Sequence, residues 1–203
     1  KLLTQGANIN NISSTINSIV IPLPSLEKQT QIVSELSSYQ NIILSAQQII
    51  KSYSPIVPID AEWPSVKLGD LFAIAADLVD PQSKSGCVNY IGLENIEANS
   101  GKIVGQIESE YQNIKSAKRV FSKGDILFGK LRPALNKVAY AEFDGICSTD
   151  IIVLRAKSQD VIPEFYSILL RNLDFNKMVL NGCSGGQLPR VDVKYLLDLP
   201  IQQ

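Results

Sequence analysis

Seven basic side chains fall between Lys115 and Lys137 (Lys115, Lys118, Arg119, Lys123, Lys130, Arg132 and Lys137), with Asp125 the one acid among them. That window carries +6, so on a chain of net charge −1 the remainder carries −7. Net charge alone does not favour a polyanionic partner, but a basic stripe on an acidic body is the electrostatic footprint of many nucleic-acid readers. Lys130, Arg132, Asn136 and Lys137 flank Pro133 between two β-type runs, a place for a protruding basic loop that holds phosphates. Arg132 has an alternative, an internal ion pair with Asp150 or Glu94. Lys115 and Lys118 are further surface candidates for phosphate, and Asn113 for a base. Gln187 and Arg190 follow the turn Ser184-Gly185-Gly186. Glutamine can pair bidentately with adenine and arginine with guanine, so these two are the candidates for reading sequence. The same turn would serve equally to cap the preceding helix, and a solvated strand-and-turn surface would account for the stripe.

Several chemistries fail on their residues. Gly124 to Lys130 satisfies the GxxxxGK spacing of a phosphate-binding loop, yet Leu131 stands where a magnesium-binding hydroxyl is needed. Ile126-Leu127-Phe128 inside it reads as a buried strand. Histidine is absent, which removes histidine-based triads, histidine-ligated metals and the commonest general base. Carboxylate catalysis stays open, but no D…ExK arrangement appears, and Glu108 with Glu110 reads as a solvated acidic turn. No NPPY-like methyltransferase loop is present; Arg132-Pro133 and Asp198-Leu199-Pro200 supply neither it nor a cofactor turn. Cys87, Cys147 and Cys183 lack CxxC spacing. That argues against a metal knuckle and for a reducing, cytoplasmic setting, with all three as small buried apolar residues.

These candidates need elements to position them. The chain has 203 residues, 45% apolar and 19% charged, a globular and not a disordered composition. Its longest apolar runs, such as Ile151-Ile152-Val153-Leu154, are too short to cross a bilayer. No signal-peptide pattern is visible; Lys1 is no initiator and Met178 is the only methionine, so the chain is expected to be part of something longer. Residues 1–24 are polar and asparagine-rich, and Ile21-Pro22-Leu23-Pro24 favours an extended segment. Ser25 stands at an N-cap position. Beyond it Ile32, Leu36, Tyr39, Ile43, Ala46, Ile50 and Tyr53 keep an unbroken heptad register, predicting a helix of roughly 28 residues, about 42 Å long. Its apolar seam packs either on another helix or on the chain's own globule. Pro55 and Pro58 close this helix, and Trp63-Pro64 opens a new unit.

From there β-type runs fall at 102–106, 119–121, 125–131, 137–143 and 147–156. A helix follows over 163–180, with Phe165, Ile168, Leu169, Leu173 and Met178 on one side, and a short one over 192–197. The fold class is therefore mixed α/β (α+β), a globule with a twisted mixed sheet joined to one long heptad-patterned helix. Three parts are expected: an extended 1–24, a spacer helix 25–60 and a globular 61–203. Ile12…Ile21-Pro22-Leu23 echoes Val191…Leu199-Pro200-Ile201, as if 1–24 were the tail of a preceding repeat.

Three segments together resemble the specificity subunit of type I restriction–modification enzymes, or the same module fused to an adenine-specific modification methyltransferase. Ile21-Pro22-Leu23-Pro24-Ser25-Leu26-Glu27-Lys28-Gln29 is similar to that family's proline-rich approach to a spacer helix. Trp63-Pro64-Ser65-Val66-Lys67-Leu68-Gly69-Asp70 looks like the start of a target-recognition domain. The run from Lys123 to Lys137, continuing through Cys147-Ser148-Thr149-Asp150, resembles the domain's core strand pair, and Tyr90-Ile91-Gly92-Leu93-Glu94-Asn95-Ile96 fits as well. In the family two recognition domains, spaced by two antiparallel helices, each read one half of a split site; here one helix and one complete domain are present. The resemblance implies double-stranded DNA as partner, no catalytic residues, no cofactor or metal and no membrane. Methyl transfer and cleavage would belong to methyltransferase and endonuclease subunits or to a fused methyltransferase domain. A homodimer through residues 32–53 is a further expectation. Two readings compete: a protein–protein scaffold or dimerisation module with little DNA affinity, and an enzyme using carboxylates alone.

Overall fold

The computed structural model describes residues 3–6, 9–12, 20–52, 57, 60 and 62–202. They fall into two units, Lys1–Ser52 and Tyr53–Gln203.

In the first unit, β1 (Leu3–Gly6) pairs antiparallel with β2 (Ile9–Ile12), Leu3 opposite Ile12. The helix α1 spans Leu26–Ser52, 27 residues, close to the length that the heptad predicts. It starts after Pro24, whose ring disfavours the α conformation at the preceding Leu23 and so keeps the helix from extending further back. Ser25 caps it: the Lys28 N–H donates to Ser25 Oγ at 3.4 Å, and the Gln29 N–H makes the first helical bond to the Ser25 carbonyl at 2.9 Å. Glu27 in the first turn suits the positive end of the helix dipole. Along the heptad, Leu36 is 60% exposed and Tyr39 and Ile43 are each 55% exposed, while Ile32 and Ala46 are exposed too. The Ile50 side chain and Tyr53 lie outside the described residues.

The second unit begins with β3 (Ser65–Lys67), α2 (Leu68–Leu71), β4 (Phe72–Ile74), β5 (Leu78–Val79), β6 (Cys87–Ile91) and β7 (Glu108–Glu110). It continues with β8 (Lys118–Phe121), β9 (Ile126–Gly129), β10 (Val138–Tyr140), β11 (Gly145–Cys147) and β12 (Ile151–Ala156). Last come α3 (Pro163–Leu169), α4 (Leu173–Asn181), β13 (Cys183–Ser184), β14 (Arg190–Val191), α5 (Val193–Asp198) and β15 (Pro200–Gln202). Strands order as β10-β9-β12-β4, antiparallel throughout, and as β5-β8-β11-β6-β7, where β11 and β6 run parallel. The expected mixed sheet is thus the five-stranded one, and a separate four-stranded antiparallel sheet accompanies it. β15 pairs with β3, Ile201 opposite Val66, and ties the end of this unit to its beginning.

Strand alternation divides the core. On β9 and β12, Ile126, Phe128, Ile152 and Leu154 pack with Tyr166, Leu169, Leu170, Phe175, Val179 and Leu196 of the helices. The intervening Leu127, Ile151 and Val153 join Ile91, Phe121 and Cys147 of the mixed sheet. Both faces of these two strands are covered, which is why they read as continuous apolar runs and not as alternating ones.

Three expectations on the elements are corrected. Residues 102–106 form no strand; only an isolated bridge joins Ile103 to Ile96. The run 147–156 breaks at 148–150, where the Ile151 N–H donates to the Ser148 carbonyl at 3.0 Å, placing β11 and β12 in different sheets. The helix over 163–180 is two helices, because Asn172 leaves the helical path and its side chain caps α4 by accepting the Asp174 N–H at 2.9 Å. The break resets the helical phase, so Leu173 is 60% exposed, and Phe175 and Val179 enter the core. Of the cysteines only Cys147 is buried; Cys183 is half-buried and Cys87 exposed.

Candidate nucleic-acid interface

The stripe and the glycine turn, far apart in sequence, meet in the fold. Val191 N–H donates to the Lys130 carbonyl (3.1 Å), Arg132 N–H to the Pro189 carbonyl (2.8 Å), and Leu131 forms an antiparallel bridge with Arg190. The hairpin β13–β14 is therefore stitched to 130–132, and Lys130 and Arg132 stand beside the strand that carries Arg190.

The turn after Lys130 is fixed from beneath. Arg132 and Asn136 both take left-handed backbone (φ 50° each) around the single 3-10 turn Pro133–Leu135. Left-handed backbone costs a side-chain-bearing residue roughly 1–2 kcal/mol, and the surroundings hold it here. The buried Asn136 amide donates to the Arg171 carbonyl at 2.8 Å, and Asn176 of α4 donates to the Pro133 carbonyl at 3.0 Å. Arg132 is exposed and Lys130 half-buried, and neither side chain makes an ion pair among the described residues.

The loop 185–189 of the hairpin turns through Gly185, whose φ of 98° suits glycine. It leaves Gln187 exposed and Leu188 47% exposed. Arg190 is exposed, and its Nε donates to Asp150 Oδ1 at 3.1 Å. The internal partner considered for Arg132 thus belongs to Arg190 instead. Asp150 is held by its own backbone: its N–H donates to Ser148 Oγ at 3.2 Å and its carbonyl accepts the Lys130 N–H at 2.8 Å.

Three proposed phosphate contacts need correcting. Lys118 is buried, not a surface residue; its Nζ donates to the Ser116 carbonyl (2.8 Å) and Oγ (2.6 Å) and lies 5.6 Å from the centre of the Tyr90 ring. Burial holds its ammonium below the ordinary lysine range. Asn136 is spent on its turn. Lys137 is half-buried, with Nζ donating to the Leu93 carbonyl at 2.6 Å. Asn113 and Lys115 are exposed, at and just beyond the 3-10 turn Tyr111–Asn113, and no hydrogen bond joins them to the hairpin. The GxxxxGK spacing is confirmed as a strand: Ile126–Gly129 is buried throughout. A Cβ on Gly129 would stand 3.0 Å from the Lys137 carbonyl, so glycine serves strand approach there and not a phosphate.

Leu188 belongs to this surface although nothing in its sequence context marks it, and Asp150, which the sequence offers only as a partner for Arg132, joins it through Arg190. Both depend on the long-range docking of the hairpin. Among the described residues no group of three or more acidic or cysteine side chains could hold a metal ion, and no helix is long and apolar enough to cross a membrane.

Residues 60–202 match the family described as type I restriction modification DNA specificity domain. The specificity subunit of the Escherichia coli type I restriction enzyme EcoDI is 27% identical over 77% of this chain and 34% of its own length. That of the Methanocaldococcus jannaschii enzyme MjaVIII is 27% identical over 99% of this chain and 55% of its own. The crystal structure of the HsdS subunit from Thermoanaerobacter tengcongensis aligns with a TM-score of 0.59 and 27% identity, over 72% of this chain and 39% of that one. A structure from work on complex assembly and conformational transition of the type I R-M system aligns with a TM-score of 0.60 and 30% identity, over 72% and 39%. The chain spans between about a third and just over half of the length of these relatives. From the match over residues 60–202 and the shared fold, this chain belongs to the type I restriction–modification DNA specificity domain family.

Proposed function

We propose that this chain reads one half of a split DNA target and presents it to methyltransferase and endonuclease partners, contributing no catalysis itself. The observation that carries the reading is the convergence of Lys130 and Arg132, which make no ion pair among the described residues, with the exposed Gln187 and Arg190 on one docked hairpin. Cationic side chains on a rigid turn hold phosphates, while side chains on an adjoining hairpin reach base edges. Asn113 and Lys115 are outlying contacts in this reading, and Lys137 contributes at most through long-range charge. The recognition function resides in 61–203, with 25–60 as a spacer helix and 1–24 as the tail of a preceding repeat. The setting is cytoplasmic, and the helix pairs with a second such helix, which for this chain alone means a second copy.

The test is binding to random-sequence duplex DNA across a salt series. Replacing Lys130 and Arg132 with alanine should weaken binding about equally on every sequence and reduce the log–log salt slope by about 0.9 for each lost phosphate contact. One module makes few contacts, so affinity should be weak and largely non-specific. A folded double variant with an unchanged slope overturns the assignment. Absence of salt-dependent binding by the wild type would favour the scaffold reading.

A further inference from the structure

Asp150 and Arg190 form an ion pair within the proposed reading surface, and its geometry carries more than charge balance. The carboxylate takes Nε of the guanidinium, at 3.1 Å to Oδ1, and among the described residues the Arg190 side chain makes no other hydrogen bond or ion pair. Arginine has five N–H donors in a planar fork. With Nε engaged from one side, the Nη1 and Nη2 donors remain as a parallel pair pointing away from Asp150. That pair matches O6 and N7 of guanine in the major groove. Adenine fails against it, because its N6 amino group sets donors opposite donors.

Both ends of the pair are anchored through backbone. Arg190 is opposite Ser184 on β13 and bridged to Leu131 on its other side. Asp150 sits in the turn closed by Ser148 and is bonded through its carbonyl to the Lys130 N–H. The two side chains stay 44% and 33% exposed, and an exposed ion pair contributes little to folding stability. A contact that holds its arginine in one orientation while adding little stability is suited to pre-paying the ordering of a binding group.

We propose that Asp150 is a positioning residue that orients Arg190 to read one guanine of the half-site. This rests on the reading of Arg190 as a base contact, and the experiment separates the two. The full protein, with whatever partner subunits it needs for binding, is selected on a duplex library randomised across the site, and bound sequences are counted. Wild type should prefer guanine at one position by roughly ten- to a hundredfold, and Arg190→Ala should erase that preference while leaving other positions unchanged. Asp150→Ala and the similarly shaped Asp150→Leu, which both lack an acceptor, should cut the same preference several-fold with an unchanged melting temperature. Asp150→Asn, which keeps an acceptor oxygen, should recover part of it.

If Arg190→Ala weakens all sequences alike, Arg190 is on the backbone and the base-reading assignment fails with the inference. If Arg190→Ala relaxes one position while Asp150→Ala and Asp150→Leu leave it intact, the inference fails alone. A preference for a base other than guanine overturns the guanine assignment. Uniform loss of affinity with a lowered melting temperature in both Asp150 variants makes the pair structural.

Discussion

Arg132 holds a left-handed backbone with no side-chain partner among the described residues, and Asn136 holds the same backbone with its amide fully engaged. Their contrast separates binding from support. Asn136→Ala should lower folding stability by about 2–4 kcal/mol, combining left-handed strain with unmet polar groups around Arg171. Asn136→Gly, which tolerates that backbone, should cost less; urea unfolding of the two variants checks the order. A chemical test applies to the cysteines. Burial pushes the Cys147 thiol up to about 12. A raised thiol pKa favours the neutral form, so at pH 8 Cys147 stays the unreactive thiol and not the thiolate that alkylating reagents attack. Cys87 is exposed and should be alkylated within minutes in the native protein, and Cys147 only after denaturation. Mass mapping of the labelled peptides reads this directly, and early labelling of Cys147 would contradict the buried β11.

At the scale of elements, what could be read from sequence were the segments governed by neighbours along the chain. The α1 heptad, the buried run of β9 and the cap at Ser25 depend on local periodicity and capping, and they appear as expected. The break of 163–180 was written only in Asn172, a competent N-cap inside an otherwise helical pattern. The split of 147–156 was written only in the polar Ser148-Thr149-Asp150. In both, apolar content suggested continuity while a short polar stretch closed a turn. The candidate site was half legible. Lys130, Arg132, Gln187 and Arg190 could be selected by type, but their meeting depends on backbone bonds between 130–132 and 189–191, which no local pattern encodes. The same gap explains Lys118: a lysine in a basic stripe looks solvated until Tyr90, from another strand, is placed beside it. If the docked hairpin carries sequence reading, Gln187→Ala should relax preference at one position of the half-site in the library selection. An equal loss at every position would place Gln187 on the phosphates.

At the scale of the whole molecule, the heptad helix is the feature that a single chain leaves open. Leu36, Tyr39 and Ile43 are more than half exposed on α1, and burying a large apolar side chain contributes roughly 1.5–3 kcal/mol. A helix in water is stabilised mainly by packing such a face. α1 carries only four charged side chains, Glu27, Lys28, Glu35 and Lys51, so little repulsion opposes pairing. Antiparallel pairing opposes the two helix dipoles, each positive end lying beside the partner's negative end. It also closes as a two-fold, the commonest symmetry of oligomers. The protein should therefore self-associate through residues 32–53 as an antiparallel pair, with a mass by light scattering that rises from one to two chains over a micromolar concentration series. Leu36→Asp combined with Ile43→Asp should hold it monomeric, because unpaired carboxylates in the seam carry a desolvation penalty that pairing cannot offset. Circular dichroism of the variant distinguishes lost pairing from a lost fold of the globular unit. A wild type that stays monomeric at high micromolar concentration would mean that this seam does not seek a second copy, and the spacer reading of α1 would then fail for this chain.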